Sequence, residues 1–216
     1  MRSKFDQQLA LLNDELTQMG ETCANAICLA AQALEEQNAS TAAPVAELEE
    51  QTNEQERSIE ALCLKLLLQQ QPVARDLRQI SAALKMITDM ERIGDQADDI
   101  AEILLCRAGR PLSAGDTLRD MARATIRMVS ESVDAYVRQD VDLAQQVIAA
   151  DDEVDGYFDR IKAHLIDRIA KDVDDGEATL DLLMIAKYYE RIGDHATNIA
   201  EWVMFSVTGV HETEAT

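Results

Sequence analysis

Apolar residues recur at every third or fourth position through six stretches, at positions 4–37, 44–70, 73–107, 116–138, 141–171 and 177–207. That period matches the turn of an α-helix with one buried face, and no stretch alternates apolar and polar residues as a half-buried strand would. The breaks carry their own chemistry. Pro44 follows Ser40 and Thr41 and suits a first helical position, and Pro72 interrupts the chain between the second and third stretches. Positions 108–115 hold two glycines and Pro111 and read as a link; Gln139 or Asp140, and then Asp174, Asp175 and Gly176, mark the later turns. The polar tail after Gly209 is expected to fray.

The six stretches are one unit used twice. Residues 91–102 read ERIGDQADDIAE and residues 190–201 read ERIGDHATNIAE, identical at nine of twelve positions with an offset of 99. Chance does not produce a match of that quality inside one short chain, so the halves are repeats. A weaker match aligns 19–42 with 121–144 at an offset of 102, and ELEEQTN (47–53) with AADDEVD (149–155) at the same offset. The expected fold is therefore all-α, two pseudo-symmetric three-helix bundles divided into 1–109 and 110–216.

Composition narrows the function. The formal net charge is −21, which repels nucleic-acid phosphates and anionic lipid and suits cations or a basic protein surface. It also disfavours a bare phosphate pocket unless bound metal reverses the local field. No run is long and apolar enough to span a bilayer, and the polar N-terminus has no signal-peptide core. Cys23, Cys28, Cys63 and Cys106 form no C-x-x-C pair and read as reduced packing residues, with Cys23 and Cys28 on different helix faces. No P-loop, dinucleotide-binding glycine pattern or nucleophile triad is present, so the chain is not expected to be an enzyme.

The repeated motif holds the candidate chemistry. With about 100° per residue, Glu91, Asp95, Asp98 and Glu102 fall in one stripe, opposite Ile93, Ala97, Ile100 and Leu104. Glu190, Asp194 and Glu201 repeat the stripe, opposite Ile192, Ala196 and Ile199; Thr197 and Asn198 replace Asp98 and Asp99. An acidic stripe is usually a solvated face. Here like charges at i, i+4 repel and a mid-helix glycine, Gly94 or Gly193, adds a further cost, yet the pattern occurs twice. A bound hard or borderline cation such as Fe, Zn, Mn or Mg would account for that. One helix cannot complete a coordination shell. The second acidic segment is Asp151 with Asp155 in the second repeat and, more weakly, Glu49 with Asn53 in the first. His195 sits about 100° from Asp194 and reads as a supporting or exposed residue. Tyr188, Tyr189 and Trp202 read as packing.

The doubled ERIGD-x-A-x-x-I-A-E motif, with QQPVARDLRQISAALKMITDMERIGD before the first copy and ERIGDHATNIAEWV at the second, resembles the PhoU family of phosphate-transport accessory proteins. The resemblance spans nearly the whole chain. It implies a PhoU-like six-helix fold and clusters of iron, zinc or other divalent ions. The implied ligands are Glu91 and Asp95, and Glu190 and Asp194, with partner segments Asp151 and Asp155, and Glu49 and Asn53. Asn53 departs from the acidic pattern. The resemblance further implies repression of phosphate-starvation signalling. The partners it names are a phosphate ABC transporter's ATPase subunit, a sensor histidine kinase and a second copy of the chain, all at the cytoplasmic face of the inner membrane. Two other readings stand beside it, a ferritin-like di-metal carboxylate protein and a metal-free structural adaptor. The Glu-x-x-His pairs of the former are absent.

Overall fold

The computed structural model describes residues 2–70, 72–107, 110, 112, 115–171 and 176–210. The expected breaks at 108–109, at Pro111 and at Asp174 and Asp175, and the tail beyond Val210, lie outside these residues. The remainder forms α1 (Arg2–Glu35), α2 (Val45–Gln70), α3 (Ala74–Cys106), α4 (Gly115–Arg138), α5 (Val141–Ala170) and α6 (Gly176–Thr208). Among the described residues there is no strand. A short 3-10 turn at Ala39–Ala42 is the one element the periodicity did not anticipate. It is four residues long, too short to show a period.

The turns repeat as the sequence does. Gln37 (φ 52°) and Gln139 (φ 53°), offset by 102, both adopt the left-handed conformation. In each case the next residue's N–H reaches back over the helix end, Asn38 to Ala33 O at 3.0 Å and Asp140 to Ala135 O at 2.9 Å. These bonds satisfy carbonyls that a helix terminus would leave orphaned. Asn38 and Asp140 then cap the 3-10 turn and α5, accepting from Ser40 N at 3.2 Å and Leu143 N at 3.0 Å.

Each helix buries one stripe. On α4 it comprises Leu118, Met121, Ala122, Thr125, Met128, Val129, Ser132, Val133 and Tyr136, spaced three and four apart. Within each repeat all three helices pack together, α1 and α3 with α2, and α4 and α6 with α5. The repeats meet through α3 against α6 and α1 against α4, and α3 against α6 is the most extensive helix contact of the fold. Asp89 meets Asn198 while Arg107 meets Asp181, so the central pair runs antiparallel. Buried apolar residues of both repeats belong to a single continuous core. Cys23 and Cys63 are buried in it, as packing residues would be, whereas Cys28 and Cys106 are exposed. Burial pushes the Cys23 and Cys63 thiols up to about 12.

Candidate functional site

The mid-helix glycines decide which acidic segment faces which motif. A Cβ on Gly94 would stand 3.3 Å from Thr52 Cγ2, and one on Gly193 would stand 3.3 Å from Val154 Cγ1 and 3.4 Å from Asp151 Oδ1. Thr52 and Val154 are mates at the offset of 102. Each motif helix therefore presses its glycine against the acidic segment of its own repeat, α3 against α2 and α6 against α5. The missing side chain lets the two helices approach closely.

Most of the carboxylates consequently line seams between helices, whereas Asp155 and Asp194 stay exposed at the edge of theirs. In the first repeat Glu91, Asp95 and Asp98 are half-buried on α3, with Glu49 and Asn53 half-buried on α2. Burial pushes the Glu91 carboxyl above its usual range, and Asp95, Glu56 and Glu49 add to the rise against the opposing Arg92. Asp98 is raised by burial and then by Glu102, Glu49, Asp99 and Asp95. Asn53 donates to Glu49 Oε1, so the amide relieves a repulsion that an aspartate there would add. Arg92 lies 3.4 Å from Glu91 and 3.0 Å from Asp95 and supplies the local positive charge.

In the second repeat Asp155 adds a carboxylate where the first has Asn53, while Thr197 removes the one at Asp98. Burial, with Asp194 and Asp155 close by, pushes Asp151 up to about 6, and the Thr197 hydroxyl only partly offsets this. Its Oδ1 is buried without a hydrogen-bond partner. Asp194 is likewise raised by burial and then by Glu190, against Lys187. Lys187 pairs with Glu190.

The structure thus brings Glu91, Asp95 and Asp98 together with Glu49 and Asn53, and Glu190 and Asp194 with Asp151 and Asp155. Glu102 and Glu201 stand eight residues beyond their glycines, about 12 Å along the helix axis, and flank the seams. Among the described residues no three Asp, Glu, His or Cys side chains converge into a ready coordination cage. The seams gather carboxylates as pairs, and a shared ion would require side-chain rotations to draw them in. Glu56 on α2 belongs to the first seam and was not singled out by the sequence, although it lies seven residues, two turns, after Glu49. His195 lies away from the seam, with Nδ1 2.9 Å from Asp89 Oδ1 on α3. Tyr189 and the half-buried Trp202 pack as expected; Trp202 meets Phe205 edge-on at 5.7 Å.

A family model described as the PhoU domain matches residues 16–104 and again residues 118–203. The chain belongs to the PhoU family. The two matched stretches are the two three-helix repeats, each ending within a motif helix. A Clostridium acetobutylicum relative, a phosphate-specific transport system accessory protein PhoU homolog, is 33% identical over 212 residues, covering 96% of each chain. A Pseudomonas aeruginosa relative of the same description is 34% identical over 95% of this chain and 86% of its own. The crystal structure of PhoU from Pseudomonas aeruginosa superposes with a TM-score of 0.90 at 33% identity, covering 95% of this chain and all of that one. A PhoU structure from Streptococcus pneumoniae shares the fold, with a TM-score of 0.89 at 24% identity.

Proposed function

We propose that the chain is a regulatory accessory of a phosphate-specific transport system. It acts by docking, as a metal-loaded helical adaptor that links the transporter's ATPase subunit to a sensor histidine kinase and represses phosphate-starvation signalling. It works as a homodimer in the cytoplasm, held at the inner membrane face by its partners. Support for the phosphate role comes from relatives of that description matching nearly end to end. The net charge of −21 favours partners with a basic contact surface. No helix among the described residues is long and apolar enough to cross a membrane, which leaves protein contacts to hold it there.

The metal reading rests on Asp151. A half-buried carboxylate whose Oδ1 has no hydrogen-bond partner, beside Asp194 and Asp155, is destabilising unless a cation or a proton compensates. Asp151, Asp155, Glu190 and Asp194 would hold an ion in the second repeat. Glu49, Glu91 and Asp95 would do so in the first, with Asn53 contributing at most a neutral oxygen, and Glu102 and Glu201 available at the flanks. Fe, Zn, Mn and Mg all accept such oxygen donors. The ion's contribution is charge: it neutralises each seam and forms part of the docking surface, while Arg92 and Lys187 fill that role without it.

Elemental analysis of tag-free protein, with the Asp95→Ala and Asp194→Ala double variant beside it, tests the site. Equal metal in both would remove the assignment. Pulldown against the ATPase subunit and the kinase, with phosphate varied, tests the adaptor role. Binding should weaken with salt through slower association. Absence of binding to either partner with metal loaded would overturn it.

A further inference from the structure

Two grooves related by the pseudo-two-fold axis run between α1 and α4. One, about 360 Å³, lies between Gly20 and Glu21 of α1 and Ser130 and Asp134 of α4. The other, about 470 Å³, is lined by the mates of these residues at the offset of 102. The internal repeat therefore provides a control for what the second groove has gained. Arg119 stands where the first has Thr17, Arg123 replaces Glu21, Gln32 replaces Asp134 and Cys28 replaces Ser130. Two carboxylates have given way to an arginine and an amide, and a second arginine has been added, on a protein whose net charge is −21.

The floor has changed as well. Tyr189, the mate of buried Met90, lines the larger groove. It is 0% exposed, and its hydroxyl has no hydrogen-bond partner. Tyr136, the other large buried phenol, donates to Gln79 O at 3.0 Å. The side chain lines the groove and its buried hydroxyl is a donor without an acceptor, and leaving it dry and unpaired is unfavourable. Burial, with the Cys28 thiol nearby, pushes the Tyr189 ionisation well above the ordinary phenol range, so the proton stays on the oxygen. The rim arginines are poised by exposed carboxylates, Arg119 by Glu35 at 3.2 Å and by Asp116, and Arg123 by Asp120 at 3.7 Å. Such pairs are weak in water, and a guanidinium has five donors, enough to share with a ligand.

We propose that this groove binds a small amphipathic carboxylate bearing a second oxygen, with that oxygen accepting from Tyr189, the apolar body on Leu118, Ala122 and Ile126, and the carboxylate at Arg119 and Arg123. The site is separate from the acidic seams and does not depend on the metal reading.

Three small probes of one shape test it on the full chain with metal chelated. These are p-hydroxyphenylpropionate, phenylpropionate, which lacks the ring oxygen, and tyramine, which carries a cation in place of the carboxylate. Calorimetry should give one p-hydroxyphenylpropionate per chain, phenylpropionate roughly fivefold weaker for the lost hydrogen bond, and no binding of tyramine. In a Cys106→Ser background, p-hydroxyphenylpropionate should slow alkylation of Cys28. Tyr189→Phe should fold normally and erase the difference between the two acids. Arg119→Gln with Arg123→Gln should weaken both by roughly tenfold or more. Failure of every probe to bind or to protect Cys28 would overturn the proposal. So would binding left unchanged by Tyr189→Phe and the arginine substitutions.

Discussion

Asp89 of α3 and His195 of α6 meet across the central helix pair with Oδ1 and Nδ1 2.9 Å apart, and Asn198 donates to the same oxygen at 3.1 Å. The pseudo-two-fold axis carries Asp89 onto Tyr188 and Asn198 onto Asp99, and these mates also interact, the Tyr188 hydroxyl with the Asp99 carboxylate. The same two seats thus clamp the repeats together with different chemistry. Removing His195 should destabilise the fold, and Asp89→Ala with His195→Ala should show a coupling of about 1 kcal/mol in a double-mutant cycle read by urea denaturation. Additive single effects would mean that the contact contributes nothing.

The Asp151 carboxyl gives the metal-free protein a pH signature. Its folded value of about 6 lies above the ordinary 3.8, so between these values the folded state holds a proton that the unfolded chain has released. Stability from this group is therefore present in full below the unfolded value and is lost as pH rises through about 6. Asp151 is only half-buried, and solvent screening reduces the effect to about 1 kcal/mol. In chelator, Asp151→Asn should show a higher urea midpoint than the parent at neutral pH and a smaller fall between acid and neutral pH. An unchanged pH profile would show that Asp151 is not its source.

The two seams should differ in metal affinity. Asn53 stands where the second repeat has Asp155, and it hydrogen-bonds Glu49. Replacing Asn53 with Asp breaks that bond and adds a charge to a seam that already holds Glu91, Asp95 and Asp98. The variant should lose about 1 kcal/mol of stability in chelator and recover it, with increased bound metal, when Mn or Zn is restored. Thermal melts with and without metal, beside elemental analysis, check both halves of this expectation.

Gly94 offers a test of helix approach. A Cβ there would meet Thr52 at 3.3 and 3.4 Å, tight enough to offset the gain in helix propensity. Thr52→Ala removes the tight Cγ2 contact and leaves only Cβ at 3.4 Å, an ordinary van der Waals distance, so in that background Gly94→Ala should stabilise by about 1 kcal/mol relative to Thr52→Ala alone. An equal effect of Gly94→Ala with and without Thr52 would show that the two residues do not touch.

The sequence makes some of this legible and leaves the rest to tertiary contact. Six helices follow from apolar spacing, and their observed ends fall within about two residues of the expected ones because Pro44, Pro72 and Gly176 interrupt the pattern. Ile93, Ala97, Ile100 and Leu104 are buried as the stripe geometry requires. Periodicity reports a helix's own faces and does not name the neighbour. The pairing of Gly94 with Thr52, the fit of Asp89 to His195 and the orphaned Tyr189 hydroxyl all depend on partners far away in sequence. Nor does the sequence separate Cys23 from Cys28 in burial beyond placing them on different faces.

The α1–α4 and α3–α6 contacts join equivalent surfaces of two similar units, the geometry by which an isolated subunit pairs with an identical copy of itself. In a self-pairing subunit every substitution is made twice, once on each side of the axis. A charge that improves one groove is then imposed on its twin. Carrying both units on one polypeptide lifts that restriction. Arg119 and Arg123 can arise without converting Thr17 and Glu21, and Asn53 can lose its charge while Asp155 keeps one. Tandem fusion thus lets a symmetric scaffold specialise its two halves independently.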